Sequence, residues 1–258
     1  MKMFKFALMC AAALAMVACE PKPEPTPDPE QPTPDPEVPE YVNPISVADN
    51  SLADWDGLEN VASCVLPEGA SMDGLKSVKV YADPMYINIA VEYNPETVTD
   101  LAWTPLHVYI NADNSAETGG FGDQWTDADT EIMLETVCFA EGAPYNYNPA
   151  VFKWWGEVGG TGWNWTDPEV EATSENGWGA IVAEGSLPVG TSQLVGNVFE
   201  IQLMWEMIPA PNGWNEDGFT IGFDIQQEWS SVGILPIEAD DEQGAVVYGK
   251  KLAVKFNK

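Results

Sequence analysis

The sequence has no arginine and only one histidine, His107, and its ten lysines face 41 aspartates and glutamates. Because a nucleic-acid-binding protein needs a cationic face to displace counterions, this balance excludes DNA and RNA as partners. The lack of arginine excludes bidentate phosphate clamps. A single histidine excludes a zinc site built from two or three imidazoles. What remains is an acidic chain of 258 residues with net charge -31 and 45% hydrophobic residues, enough to fold.

Apolar residues with helical spacing are also scarce, and only residues 203–208 could form a helical turn, which Pro209 stops. Short runs of alternating apolar and polar residues recur instead, separated by Gly, Asn, Asp and Pro. They cover residues 78–81, 86–93, 106–110, 132–139, 180–183, 198–203, 219–225 and 245–256. Many short strands without helices predict an all-β fold, an antiparallel two-sheet β-sandwich with jelly-roll-like topology.

Residues 1–18 have the pattern of a signal peptide. Two lysines precede the apolar run 6–17, which is too short to cross a bilayer. The run ends in Met16-Val17-Ala18-Cys19, which resembles the lipobox of bacterial lipoproteins. The resemblance implies cleavage before Cys19 and a lipid on its sulfur, so that the membrane is a partner through this anchor. An ordinary secretory signal is the alternative.

Residues 19–44 place proline at nearly every second position, among Glu, Asp, Thr and Lys. This composition favours polyproline II and predicts an extended tether in front of a single folded domain, residues 45–258. A plain disordered tail is the alternative. The acidic residues after Cys19 resemble the surface-export signals of Bacteroidetes lipoproteins, which implies a surface-exposed position on the outer membrane.

Two cysteines, Cys64 and Cys138, belong to the folded domain. In an exported protein, two cysteines on predicted strands favour a disulfide. Two separate buried thiols are the alternative, and the sequence does not decide between them.

The loop after residue 110 is rich in side-chain oxygens. Asp113, Asp127 and Asp129 are candidate ligands for calcium, which binds six to eight oxygen atoms. The spacing differs from that of an EF-hand. The alternative is an Asx-rich loop whose side chains bind their own backbone.

Several segments together resemble the β-sandwich domains related to family 9 carbohydrate-binding modules, which occur in many Bacteroidetes lipoproteins. The carriers are residues 53–57, the strand pair within 81–91, and residues 107–120 with 127–129. The resemblance implies a jelly-roll-like sandwich and sugar binding. The chain departs from the pattern at Asn111, where an aspartate is more usual.

Tryptophan is concentrated between residues 145 and 178, among glycines and Asn and Asp. An indole can stack on the apolar face of a sugar ring while polar neighbours bind its hydroxyls. The candidate sugar-binding residues are Trp154, Trp155, Trp163, Trp165, Tyr145 and Tyr147. Trp163 and Trp165 would share one strand face. The alternative is that the cluster packs in the core. The other tryptophans, Trp55, Trp103, Trp205 and Trp229, are expected to lie in the core or in turns.

The sequence gives little support for an enzyme. Glu131 and Glu135 lie four apart on a predicted strand, hence on one face, but retaining glycoside hydrolysis needs carboxyls about 5 Å apart. His107 fits a packed histidine better than a general base. The prediction is therefore a non-catalytic, lipid-anchored module that binds a neutral polysaccharide. A structural or partner-binding envelope lipoprotein and a jelly-roll glycoside hydrolase are the alternatives.

Overall fold

The computed structural model describes residues 41–137, 145–186 and 190–257. The predicted signal peptide, Cys19, nearly all of the tether and Cys138 lie outside the described residues. The chain divides into two units, Met1–Tyr41 and Val42–Lys258, and the second contains the fold. Within the described ranges, no helix is long and apolar enough to cross a membrane.

Within the described residues, the first sheet contains six antiparallel strands. They are β1 (Ala62–Val65), β2 (Leu75–Ala82), β3 (Tyr86–Tyr93), β6 (Tyr145–Tyr147), β8 (Gly190–Val195) and β9 (Val198–Met204). Their order across the sheet is β1-β2-β3-β9-β8-β6.

The second sheet is also antiparallel. Its strands are β4 (Pro105–Asn111), β5 (Ile132–Val137), β7 (Ala150–Lys153), β10 (Gly218–Gln227), β11 (Ser230–Leu235) and β12 (Leu252–Lys255). The order is β11-β10-β4-β5-β7, and β12 pairs with the start of β10. Four 3-10 helices lie in the described connections: Ala53–Trp55, Leu101–Trp103, Ser174–Gly179 and Trp205–Met207. The predicted all-β two-sheet sandwich is confirmed.

Each sheet has a covered outer face, which explains why its central strands are buried on both sides. On the first sheet, Ile45, Val47 and Trp55 pack over Ala90, and the Trp55 indole donates to Glu200 Oε1 at 2.7 Å. On the second sheet, aromatic residues from the connecting loops cover the face that carries Tyr109. Alternate residues of a strand point to opposite faces, so apolar side chains are needed on both.

Several segments differ from the sequence-based expectation. Residues 180–183 form no strand and contribute only an isolated bridge between Val151 and Val182. Strands β8 and β11 were not expected, because their polar and glycine-containing sequences lack a strong apolar alternation. Both are held by pairing, β8 to β9 and β11 to β10.

Candidate functional site

A packed group of aromatic rings, which we call the aromatic layer, covers the outer face of the second sheet. Its members are Tyr109, Phe121, Trp125, Trp154 and Trp165, all buried. Tyr109 stacks on Phe121 with 5.0 Å between ring centroids, and Trp154 meets Trp165 edge-on at 5.2 Å. A Cβ on Gly222 would lie 2.5 Å from the Trp125 ring, so this glycine makes room for the layer.

The candidate sugar-binding residues are therefore divided between core and surface. Trp154, Trp165 and Tyr147 are buried and present no face to a ligand. Trp163 and Trp155 are 58% and 36% exposed. The expected strand for Trp163 and Trp165 is absent from the described residues, and they lie in a loop, which turns one indole outward and the other into the aromatic layer. The side chain of Tyr145 lies outside the described residues.

The three candidate calcium ligands are bound to groups of the protein. The ammonium group of Lys251 lies 3.4 Å from Asp127 Oδ1 and 2.7 Å from Asp129 Oδ1. Asp113 Oδ1 instead accepts from the Ser115 backbone at 2.9 Å and from the Thr118 hydroxyl at 3.0 Å. In the described part of the chain, no three His, Cys, Asp or Glu side chains are grouped as a metal site. Calcium binding is not tested by this arrangement, in which the Lys251 ammonium already pairs with two of the three candidate ligands.

Glu131 and Glu135 line different cavities. Glu131 accepts from the backbone N–H groups of Ala112 and Asp113, both at 3.0 Å, and from Asn212 at 2.6 Å. Burial raises its pKa. It lines a cavity of about 260 Å³ with Asn212, whereas Glu135 lines a separate cleft. The structure therefore does not bring the two carboxylates to one site.

His107 lies in a buried polar network on the same sheet face as the aromatic layer. Its Nε2 is 2.6 Å from Glu135 Oε2, and its Nδ1 is 3.9 Å from Asp224 Oδ2. Asp224 Oδ2 also accepts from Gln124 at 2.9 Å, Gln226 at 2.8 Å and the Ser231 hydroxyl at 2.9 Å. The exposed Trp163 ring lies over this network, 6.4 Å from the imidazole centroid.

Burial by itself lowers the pKa of His107, but Asp224 and Glu135 outweigh it and raise this pKa to about 9. At 3.9 Å Asp224 acts on the imidazole mainly as a charge, and Glu135 makes the direct hydrogen bond. The raised pKa favours the cationic imidazole at neutral pH, which pairs with Glu135 and faces Asp224.

Beside this network lies the main candidate site, a cleft of about 440 Å³ that we call the Trp103–Trp229 cleft. The indoles of Trp103 and Trp229 are 81% and 84% exposed, an unusual degree for the largest apolar side chain. The described residues that line the cleft are Ala102, Trp103, Pro105, Glu135, Thr136, Val137, Glu184, Glu228 and Trp229.

Two structural elements place the tryptophans. Trp103 ends the 3-10 helix Leu101–Trp103 just before β4. Trp229 lies in the two-residue turn between β10 and β11, where Gln227 pairs with Ser230. Both turn residues, Glu228 and Trp229, have positive φ, 49° and 64°. This turn type favours Asn-Gly, because side chains with a Cβ are disfavoured in that region.

A second cavity of about 350 Å³ adjoins the first and shares Trp103 and Glu228 with it. It is lined further by Asp100, Thr104 and Val232, among others. Val232 is the extra residue of a β-bulge in β11. Bulges of this kind re-aim side chains next to functional sites. The two cavities are thus neighbours, with Trp103 and Glu228 on the border between them.

The charged residues described along both cavities are all acidic: Asp100, Glu135, Glu184 and Glu228. Two of these carboxylates are held in position, since Glu135 binds His107 and Glu184 accepts from the Thr136 hydroxyl. Carboxylates fixed beside exposed indoles can accept hydrogen bonds from sugar hydroxyls while the rings stack on C–H faces.

Sequence reasoning missed this cleft because the tryptophans that form it are isolated in the chain. The one available signal was Glu228-Trp229 at a hairpin turn between two apolar runs, where small turn residues are expected. Of the tryptophans concentrated near residue 160, Trp154 and Trp165 pack in the aromatic layer and lie apart from this cleft.

Cys64 is half-buried on β1, and burial raises the pKa of its thiol to about 11. Its proposed disulfide partner, Cys138, lies outside the described residues. The disulfide therefore stays a prediction.

Comparison with known proteins adds no assignment to this geometry. No family model matches the chain, and neither a curated protein nor a solved structure matches it.

Proposed function

We propose that the protein is a non-catalytic glycan-binding module that takes its ligand in the Trp103–Trp229 cleft. The observation that carries the proposal is the pair of almost fully exposed indoles on one cleft of about 440 Å³. Exposing two tryptophans leaves a large apolar area in water, which is unfavourable unless a ligand covers it.

The polar lining suits a saccharide. Glu135, Glu184 and Glu228 provide acceptors for hydroxyl groups, and the indole faces provide the apolar contact. The second cavity borders the cleft at Trp103 and Glu228, so an extended chain of several sugar units has room on both sides of Trp103. A strongly acidic surface disfavours polyanionic glycans, because like charges repel.

The resemblance to family 9 carbohydrate-binding modules supports the same function, with Trp103 and Trp229 as the proposed sugar-contacting tryptophans. We also propose that Cys19 carries the lipid and that residues 19–44 hold the module away from the outer membrane. The lipobox resemblance supports this anchor. Mass spectrometry of the membrane-extracted protein tests it: a diacylglyceryl mass on an N-terminal Cys19 is expected, and an unmodified Cys19 contradicts it.

The glycan proposal is tested by affinity electrophoresis and calorimetry with soluble polysaccharides and hexasaccharides. Trp103→Ala and Trp229→Ala should each weaken binding by about tenfold or more, since stacking contributes roughly 1–2 kcal/mol per ring. The matched control is Trp155→Ala. Trp155 lies two residues beyond Lys153, which pairs with Ile132, at the end of β5 away from Glu135.

Trp155 was also a candidate in the tryptophan-rich segment, so the control separates two surfaces. Binding that is lost in Trp155→Ala and kept in both cleft variants overturns the assignment to the cleft. No binding to any polysaccharide favours a structural or partner-binding lipoprotein. Hydrolysis of the oligosaccharides favours a glycosidase, and Glu135→Gln then tests whether this cleft is its site.

A further inference from the structure

The charges around the Trp103–Trp229 cleft narrow the ligand class. We infer that this cleft selects glycans that carry free, protonated amino groups, such as de-N-acetylated hexosamine polymers. This inference rests on the proposed function and concerns the same site. It depends on two features that would contact the same ligand. The first is the pair of exposed indoles in the cleft, and the second is the set of carboxylates that line it.

The first argument is the negative charge along the cleft and the cavity that adjoins it. Glu135, Glu184 and Glu228 line the cleft and Asp100 lines the adjoining cavity, with no lysine among the described lining residues. His107 neutralises part of this charge from below, since it lies between Glu135 and Asp224. Glu184 and Glu228 remain exposed at the surface and face a ligand without a protein cation from the described lining.

The second argument is that indole rings and carboxylates favour the same kind of group. The face of an indole attracts a cation through its quadrupole, and tryptophan does so best among the aromatic residues. A neutral sugar uses the ring face for its C–H groups but must displace water from the carboxylates without gaining an ion pair. An amino sugar uses both: its ring stacks on an indole and its ammonium group binds a carboxylate.

The third argument is the backbone conformation at Glu228 and Trp229. Both adopt positive φ in a two-residue turn, where Asn-Gly would be favoured. Unfavourable backbone conformations of this kind are concentrated at ligand sites. The turn thus places one carboxylate and one indole side by side at the edge of the cleft, the pair that an ammonium-bearing sugar would contact.

The test compares the β-1,4-linked hexamer of glucosamine with the hexamer of N-acetylglucosamine, by calorimetry with the full domain at a pH where the free amine is protonated. Cellohexaose serves as the neutral reference and hexalysine as the cation without sugar rings. The glucosamine hexamer should bind at least about tenfold more tightly than the other three, which corresponds to one desolvated cation–π or ion-pair contact.

Variants identify the groups responsible. Glu228→Gln and Glu184→Gln should each weaken binding of the glucosamine hexamer by about tenfold, because a charge-assisted bond becomes a neutral one. Binding of cellohexaose should weaken less, because the glutamine side chain still offers an acceptor to a neutral hydroxyl group. The matched control is Glu206→Gln, since Glu206 is exposed in the helix Trp205–Met207. Trp205 of that helix packs on Phe256, beside the start of β10 and away from its turn.

Each other outcome overturns the inference. Equal or tighter binding of N-acetylglucosamine hexamer or cellohexaose leaves the glycan-binding proposal intact but removes the preference for amines. Equal binding of hexalysine shows that charge alone is recognised and removes the saccharide. Failure of all four probes and of the polysaccharide panel removes the proposed function itself.

Discussion

The imidazole Nε2 of His107 lies 2.6 Å from Oε2 of Glu135, and Glu135 is at the same time a wall residue of the Trp103–Trp229 cleft. A buried cation of the sandwich is thereby in direct contact with the candidate ligand surface. Asp224, on the next strand, faces the other imidazole nitrogen at 3.9 Å. The network fixes one carboxylate of the cleft before any ligand arrives, which is the kind of preorganisation that favours specific binding.

The raised pKa of His107 predicts how stability depends on pH. The pKa is 6.5 for the free side chain and about 9 in the fold, so its contribution is fully present below pH 6.5. It is lost as pH rises through 9. The maximum contribution is roughly 3 kcal/mol, at about 1.4 kcal/mol per pKa unit. Urea unfolding at pH 6 and pH 9 should show a fall in the free energy of unfolding for the natural protein.

The variant His107→Gln isolates this effect from other groups that titrate. Between pH 6 and pH 9, the free energy of unfolding should fall less in this variant than in the natural protein. The difference should be most of the roughly 3 kcal/mol assigned to His107. Glu135→Gln, which removes one of the two acidic partners, should reduce the fall in part. If the natural protein and His107→Gln lose stability in parallel, the imidazole is not the cation that the structure describes.

The turn between β10 and β11 predicts opposite effects on stability and binding. Replacing Glu228-Trp229 with Asn-Gly removes two side chains from positive-φ positions, and each such position costs roughly 1–2 kcal/mol. The free energy of unfolding should rise by about 1 kcal/mol or more, while affinity for the glycan falls by about tenfold or more. A variant that loses stability and keeps its affinity contradicts the role assigned to this turn.

The aromatic layer predicts that two tryptophans of one segment behave differently on truncation. Trp165 is fully buried, so Trp165→Ala should lower the free energy of unfolding by about 3–5 kcal/mol. Trp155 is partly exposed and contacts the Lys153 ammonium at 4.4 Å, so Trp155→Ala should cost about 1 kcal/mol. Chemical denaturation followed by far-ultraviolet circular dichroism measures both. An equal loss of stability in the two variants would mean that Trp165 does not pack in the aromatic layer as a core residue.

The fold was predictable because it depends on alternation of residues along each strand, which is a local property of sequence. The run 86–93 predicts β3 with its bounds unchanged. The strand β8 was not predictable, because most of its residues, Gly190–Val195, are polar or glycine and the strand is held by pairing with β9. Such pairing depends on residues distant in the chain, and a single sequence does not reveal it.

The sequence predicted which kind of site to expect, but not where in the domain it lies. An acidic, tryptophan-rich domain suggested stacking on sugars. The sequence placed the stacking tryptophans at Trp154, Trp155, Trp163 and Trp165, of which Trp154 and Trp165 pack in the aromatic layer and the other two are exposed. Residue spacing does not distinguish a loop tryptophan that packs inward from one that faces solvent. The partners Trp103 and Trp229 are 126 positions apart, and only the fold brings them to one cleft.

Removing the charge of the buried Lys251 should lower the free energy of unfolding by a large amount. The Lys251 ammonium contacts Asp127 and Asp129, so Lys251→Met leaves two aspartates without their cation. Breaking a buried pair in this way costs roughly 3–5 kcal/mol. The neighbouring exposed residue provides the control, and Lys250→Met should change stability by less than about 0.5 kcal/mol. Thermal unfolding of the two variants compares them directly.

The same variants test calcium binding at these aspartates. With Lys251 in place, the ammonium group supplies the cation that Asp127 and Asp129 need, and millimolar calcium should leave the unfolding temperature unchanged. In Lys251→Met, calcium should restore part of the lost stability, because it is then the available cation. A rise in the unfolding temperature of the natural protein with calcium would instead support a calcium site on the intact loop.

The assignment of ligand binding to the Trp103–Trp229 cleft is tested most directly by the indole N–H signals of the 15N-labelled protein during titration with glucosamine hexamer and cellohexaose. Assignment by single Trp→Phe variants gives each signal its residue. The signals of Trp103 and Trp229 should shift with saturation, while those of Trp155 and the buried Trp165 stay in place. Shifts confined to Trp155, or no shift with either hexamer, would contradict the account.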